Sequence, residues 1–215
     1  ADAIGNAWFG SFSDGFFKYN ERFNRFYFIG YSPDPSAGLI DPHAVSVMED
    51  RQGIFWITTW GGVLTRYDPG SGVFTHYQDA PSDPTNHLPK RLYSPMEDSS
   101  ENLWLGSTVG LVRFDRNSGR FHRVTLRPEQ PGAETVAPGI TTAIHEEGPD
   151  RLVFSTTAQG LFHVNTTRNT YTFEAHRGLF PKNDKSFREC PGTFPDRSGM
   201  LWVCTNNGLH CRDPR

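Results

Sequence analysis

Long apolar runs are missing from these 215 residues. Every hydrophobic stretch is cut by Gly, Pro or a charged residue well short of a membrane span, so no membrane segment is expected. Cysteine is scarce. Cys190, Cys204 and Cys211 show no CxxC spacing and have no His pair beside them, which removes a zinc site. Cys204 and Cys211 fall in adjacent strands of one expected hairpin, in a diagonal relation that suits a disulfide poorly. An excess of one charge is lacking too: 21 Lys and Arg stand against 24 Asp and Glu, a net of -3, with the basic residues dispersed. That excludes the basic patch of a nucleic-acid-binding surface. No GxSxG, P-loop or HExxH pattern occurs, and the eight His are scattered. No catalytic residue, metal ligand set or cofactor is therefore expected.

What is present is a wealth of aromatics, Gly and Pro, the composition of many short strands joined by turns. Residues 45–77, VSVMEDRQGIFWITTWGGVLTRYDPGSGVFTHY, set the pattern. An alternating segment ends in Glu49-Asp50, a turn closes at Gly53, and a strand centres on Trp56. A Gly-Gly turn leads to a strand ending at Tyr67, and Pro-Gly-Ser-Gly leads to a short strand around Phe74. Four strands joined by tight hairpins make one blade of a β-propeller.

The rest of the chain repeats that blade. Trp8, Trp56, Trp104, Phe154 and Trp202 recur at spacings of 48, 48, 50 and 48 residues. Tyr19, Tyr67, Phe114 and Val164 close the third strand, and Phe26, Phe74, Phe121 and Tyr171 follow seven residues later. Several positions keeping one register at a period of 40 to 50 residues is the signature of propeller blades. The fold class expected is all-β, a propeller of four-stranded antiparallel blades with about five blade equivalents in one domain or propeller fragment. The blades fall near residues 1–30, 44–77, 92–124, 141–173 and 190–215. The first lacks its innermost strand and the last its outermost. The fourth departs most, with Phe154 read in place of Trp and one extra residue in its acidic turn.

Asp50, Asp98 and Asp196 stand in the acidic turns before the Trp strands. A short carboxylate there accepts backbone N–H bonds and holds the hairpin, so these residues read as scaffold. His145 and His163 fall in strands and read as packed, hydrogen-bonded histidines. Binding residues are expected instead on the long connections at residues 31–43, 78–91, 126–139 and 175–188, and on the turn between second and third strands. The candidates are Trp60, His43, His87, Lys90, Arg91, Lys185 and Arg188. Trp60 would stack on a sugar ring, while Arg91 and Arg188 would pair with a carboxylate or bond hydroxyls.

The segments VMEDRQGIFWITTWGGVLTRYD and PMEDSSENLWLGSTVGLVRFD resemble the two-component regulator propeller repeat. FPDRSGMLWVCTNNGLHCRD is similar, with Cys204 where Gly is usual, and HEEGPDRLVFSTTAQGLFHVN matches weakly, without the Trp. The resemblance implies a seven-bladed ring of which this chain would be a part. It also implies the periplasmic or extracellular sensor region of a bacterial signalling protein, with a small-molecule or oligosaccharide ligand. Docking to the rest of a sensor, or self-association, is the partner it implies. Two alternatives are a protein-docking propeller scaffold and a polysaccharide-active propeller enzyme.

Overall fold

The computed structural model describes residues 6–11, 15–20, 25–78, 91–157, 160–175, 192–196, 198–205 and 208–212. The chain divides into two compact units, Ala1–Pro95 and Met96–Arg215. Among the described residues the regular structure is all strand, and the sheets are the antiparallel blades of an incomplete β-propeller. No helix among them is long and apolar enough to cross a membrane.

In the first unit, β1 (Ala7–Ser11), β2 (Gly15–Asn20) and β3 (Arg25–Ile29) form a three-stranded meander. The second blade is complete: β4 (Ala44–Glu49), β5 (Phe55–Thr59), β6 (Leu64–Asp68) and β7 (Val73–Tyr77), in that order. Every residue of β5 is buried, as expected of a strand with neighbours on both faces. Leu39, Phe55 and Ile57 form a core against Ile29 of the preceding blade.

The division falls within β8 (Leu92–Glu97), the inner strand of the third blade, which continues through β9 (Leu103–Ser107), β10 (Gly110–Asp115) and β11 (Arg120–Arg123). The fourth blade has five strands. To the meander β13 (Thr141–Gly148), β14 (Arg151–Thr156), β15 (Gly160–Asn165) and β16 (Thr170–Ala175) is added β12 (Arg127–Pro128), parallel to β16. The fifth has β17 (Gly192–Pro195), β18 (Leu201–Thr205) and β19 (Gly208–Arg212).

The acidic turns repeat atom for atom. Asp50 Oδ1 accepts from Gln52 N and Ile54 N, Asp98 Oδ1 from Ser100 N and Asn102 N, and Asp196 Oδ1 from Ser198 N and Met200 N. The second oxygen takes an indole. Trp56, Trp104 and Trp202 each donate Nε1–H to the Oδ2 of the Asp six residues earlier, at 2.7, 2.7 and 2.8 Å. One carboxylate thus closes its hairpin and fixes the ring that packs between blades. The scaffold reading of these aspartates holds, with a partner the sequence reading had not assigned.

The fourth blade corrects the repeat alignment. A hydroxyl ends the second strand of each described blade: Thr59 binds Val63, Ser107 binds Gly110 and Thr156 binds Gly160. Counting back three residues gives Trp56, Trp104 and Val153. Strand pairing agrees, with Trp56 opposite Arg66, Trp104 opposite Arg113 and Val153 opposite His163. Val153, not Phe154, therefore holds the Trp position, and Glu147 holds that of Asp with no extra residue between. Phe154 lies on the opposite face, fully buried, and stacks on Phe162 at 4.9 Å with 5° between planes. Against that face packs Trp104. Val153 packs instead with Leu161, Leu201 and Val203, toward the fifth blade.

Candidate functional site

Three of the candidate residues are described, and the first unit joins them. His43 immediately precedes β4, Trp60 begins the turn from β5 to β6, and Arg91 immediately precedes β8. The geometry follows from strand order: connections between blades and turns between second and third strands emerge at the same end of the strands. Trp60 N donates to His43 O at 2.9 Å, so turn and connection are joined by main chain. The same bond recurs in the second unit, from Thr157 N to Ile140 O at 3.0 Å.

Asp41 locks this arrangement and was not foreseen from the sequence. Its Oδ1 accepts from His43 N at 3.0 Å and lies 3.1 Å from His43 Nδ1, while Oδ2 accepts from Gly61 N at 2.6 Å. A Cβ at residue 61 would sit 2.5 Å from that oxygen, so the turn requires Gly where the carboxylate approaches. Burial pushes the Asp41 carboxyl up. Hydrogen bonds from His43 N–H, the Thr59 hydroxyl, Gly61 N–H and the His43 ring outweigh that and hold it below its usual value. The signal available in the sequence was Asp41-Pro-His43, an acid three residues ahead of the first residue of an inner strand.

The connection at residues 31–43 is ordered against its blade. Leu39 is fully buried, and it exchanges backbone bonds with Gly30 and Ser32 at 2.9 Å. His76 on β7 donates Nε2–H to Pro35 O at 2.8 Å, which leaves Nδ1 to accept from the Thr65 hydroxyl at 2.9 Å. Neutral imidazole with one donor and one acceptor satisfies both partners.

The Arg91 guanidinium carbon lies 4.4 Å from the centroid of the Trp60 ring, a cation–π contact. Trp60 remains 36% exposed and Arg91 is exposed. Arg91 makes no ion pair with a described residue, and Asp41 is spent on His43 and Gly61. The arrangement therefore offers an aromatic surface, an uncommitted guanidinium and the His43 ring, half exposed at 49%, along one end of the second blade. The equivalent of Trp60 is Thr108 in the third blade and Thr157 in the fourth, so neither of these carries an aromatic there. His87, Lys90, Lys185 and Arg188 lie outside the described residues.

The connection at residues 126–139, one of the segments expected to carry binding residues, is clamped to its blade. The Tyr171 hydroxyl accepts from Val136 N at 2.7 Å and donates to Val136 O at 3.2 Å. His145 is packed as expected. Its Nε2–H donates to Thr193 O at 2.6 Å, with Thr193 Oγ1 2.9 Å away, and burial holds its pKa below the ordinary value against the raising effect of that bond.

No protein-family model matches the chain, and no curated protein sequence does. Solved structures do. The extracellular domain of the putative hybrid two component system BT4673 from B. thetaiotaomicron superposes with a TM-score of 0.70 at 16% identity, covering 96% of this chain and 25% of that one. The corresponding domain of BT3049 from the same organism gives 0.60 at 17% identity, covering 97% and 32%. A catalytically inactive virginiamycin B lyase from Staphylococcus aureus gives 0.62 at 14% identity, covering all of this chain and 68% of the lyase. The chain thus spans about a quarter to a third of the length of the two-component domains it resembles. The likeness is one of fold, and it agrees with the resemblance drawn from the repeats.

Proposed function

We infer that this chain is a ligand-binding propeller module of an extracytoplasmic bacterial sensor, receiving an oligosaccharide or similar hydroxylated nutrient against Trp60 and Arg91. The observation that carries the reading is the Trp60–Arg91 pair on a turn locked by Asp41. An indole face stacks on the C–H face of a sugar ring, and a guanidinium with no acidic partner among the described residues bonds hydroxyls or a carboxylate. Preorganised by Asp41, the turn loses little freedom when it binds. The extracellular domains of two-component systems among the structural neighbours support the sensing role and the location outside the cytoplasm. Docking to the rest of a sensor protein belongs to the same reading.

Catalysis is not part of it, although the lyase shows that the fold also hosts an enzyme. The acid at this site, Asp41, is held by four hydrogen bonds below its usual pKa, which suits a strut and not a proton donor. The test is calorimetric titration of a panel of neutral and acidic oligosaccharides. The expected result is binding by at least one of them that Trp60→Ala abolishes, with the fold intact by circular dichroism. Binding untouched by Trp60→Ala and Arg91→Ala would move the site elsewhere.

A second reading, a protein-docking surface, is favoured by Tyr27, Phe28 and Tyr31, which are 48, 55 and 58% exposed on and just after β3. Competition between a bound partner and oligosaccharide would separate the two.

A further inference from the structure

The fourth blade breaks the repeat at the two residues that matter most to it. With Val153 at the indole position, the carboxylate of Glu147 has no ring N–H to accept. It turns to His163, the residue opposite Val153, whose Nδ1 lies 3.1 Å from both Glu147 oxygens. The other ring nitrogen lies 3.7 Å from Glu174. His163 is thereby held in place, and it lines a cleft of about 310 Å³ on the outer half of the blade.

Arg151 and Arg168 stand on this cleft, both exposed, and neither makes an ion pair with a described residue. Glu129 is the acidic group in the lining. Two guanidiniums and one carboxylate stand in the lining itself, while Glu147 and Glu174 lie against His163. Asn165, Thr170 and Thr172 supply neutral polar groups. The Thr170 hydroxyl is buried and has no hydrogen-bond partner among the described residues, an omission that folded proteins seldom leave. Among the described lining residues Val164 alone is apolar and none is Phe, Tyr or Trp, so the lining is suited to polar recognition.

We propose that this cleft is a second ligand site, taking a hydroxylated monocarboxylate of the uronic-acid type through Arg151 and Arg168. The carboxylate meets the guanidiniums, whose paired N–H groups match its geometry. The hydroxyls meet Glu129, Asn165 and the two threonines. A volume near 300 Å³ is at the lower end of small-molecule pockets and holds one sugar unit with solvent. The site is separate from Trp60 and does not rest on the reading of that residue.

The experiment titrates the whole chain with sodium glucuronate, glucose and sodium acetate at fixed ionic strength, by calorimetry. Glucuronate is expected to bind, while glucose and acetate bind at least about tenfold more weakly because each lacks half of the recognised chemistry. Arg168→Gln and Arg151→Gln, with circular dichroism unchanged, should each weaken glucuronate at least about tenfold. Acetate binding as tightly as glucuronate would mean an adventitious ion only. Glucose matching glucuronate, indifference to both Arg substitutions, or no glucuronate binding at all would each overturn the proposal.

Discussion

The indole N–H of Trp104 donates to a carboxylate oxygen of Asp98 at 2.7 Å, inside a turn that the same side chain closes through two backbone amides. Both residues are buried, at 4% and 6% exposure. Trp104→Ala removes ring and bond together and should cost about 3–5 kcal/mol in urea unfolding. Trp104→Phe keeps a ring and leaves Asp98 Oδ2 the Asn102 side-chain amide as its donor, and should cost about 1.5–3 kcal/mol, the usual value for a hydrogen bond to a charged group. A cost near zero for Trp104→Phe would show that the bond contributes nothing.

Phe154→Ala should also cost about 3–5 kcal/mol, since Phe154 is fully buried and stacked on Phe162. Val153→Ala should cost less, in line with the smaller side chain removed. The reverse order would restore Phe154 to the indole position and undo the register assigned to this blade.

Arg91→Ala should leave stability within about 1 kcal/mol, because an exposed cation–π contact contributes no more than that. Asp41→Ala should release Gly61 N–H and loosen the turn that presents Trp60. Oligosaccharide affinity is therefore expected to fall in both variants, with faster amide exchange at Gly61 only in Asp41→Ala. Identical exchange in the two would remove the positioning role of Asp41.

Acid should unfold the protein partly through Asp196, whose pKa is held down to about 2 by the Ser198 hydroxyl first and the Trp202 indole next. Its folded value lies below the unfolded one near about 3.9, so its stabilisation is complete above that pH and is lost as pH falls towards about 2. His145 acts in a higher window. Burial lowers its pKa, so its neutral form belongs to the fold, and stability should begin to drop as pH falls below about 6.5. Urea midpoints followed from pH 8 to pH 2 should show both steps. Asp196→Asn should flatten the lower and His145→Gln the upper; a curve unchanged by either would sink the assignment.

Tyr171→Phe deletes the hydroxyl that grips Val136 by two bonds. The expected cost is about 1–3 kcal/mol, mostly from the unpaired Val136 main chain, and limited proteolysis should cut sooner within residues 126–139. Unchanged cleavage would show that the segment is held by other contacts.

Much of this was legible in the sequence. Strand order within the blades and the turn role of Asp50, Asp98 and Asp196 follow from patterns that local sequence encodes. So did the meeting of Trp60, His43 and Arg91 at one end of the second blade, which blade topology dictates. The indole bond was half visible: the six-residue step from Asp to Trp repeats, but which oxygen meets which N–H depends on how the hairpin folds back. Phe154 misled because an aromatic one residue from the expected place mimics the repeat, and one step in a strand reverses the face. Asp41 escaped, and so did the partners of His163, because Gly61, Glu147 and Glu174 are set by pairing across strands and turns.

A strand at the rim of a sheet offers bare amides and carbonyls on which another chain can build. In the fourth blade that rim is not β16 but the two-residue strand laid beside it, Arg127–Pro128. Proline has no N–H to offer a further strand, and arginine brings a charge. The connection between blades therefore terminates the sheet as well as crossing it, and guards that flank against fibre-like growth. Replacing Pro128 by Val would return a donor to the rim and, by this logic, turn a silent edge into an adhesive one.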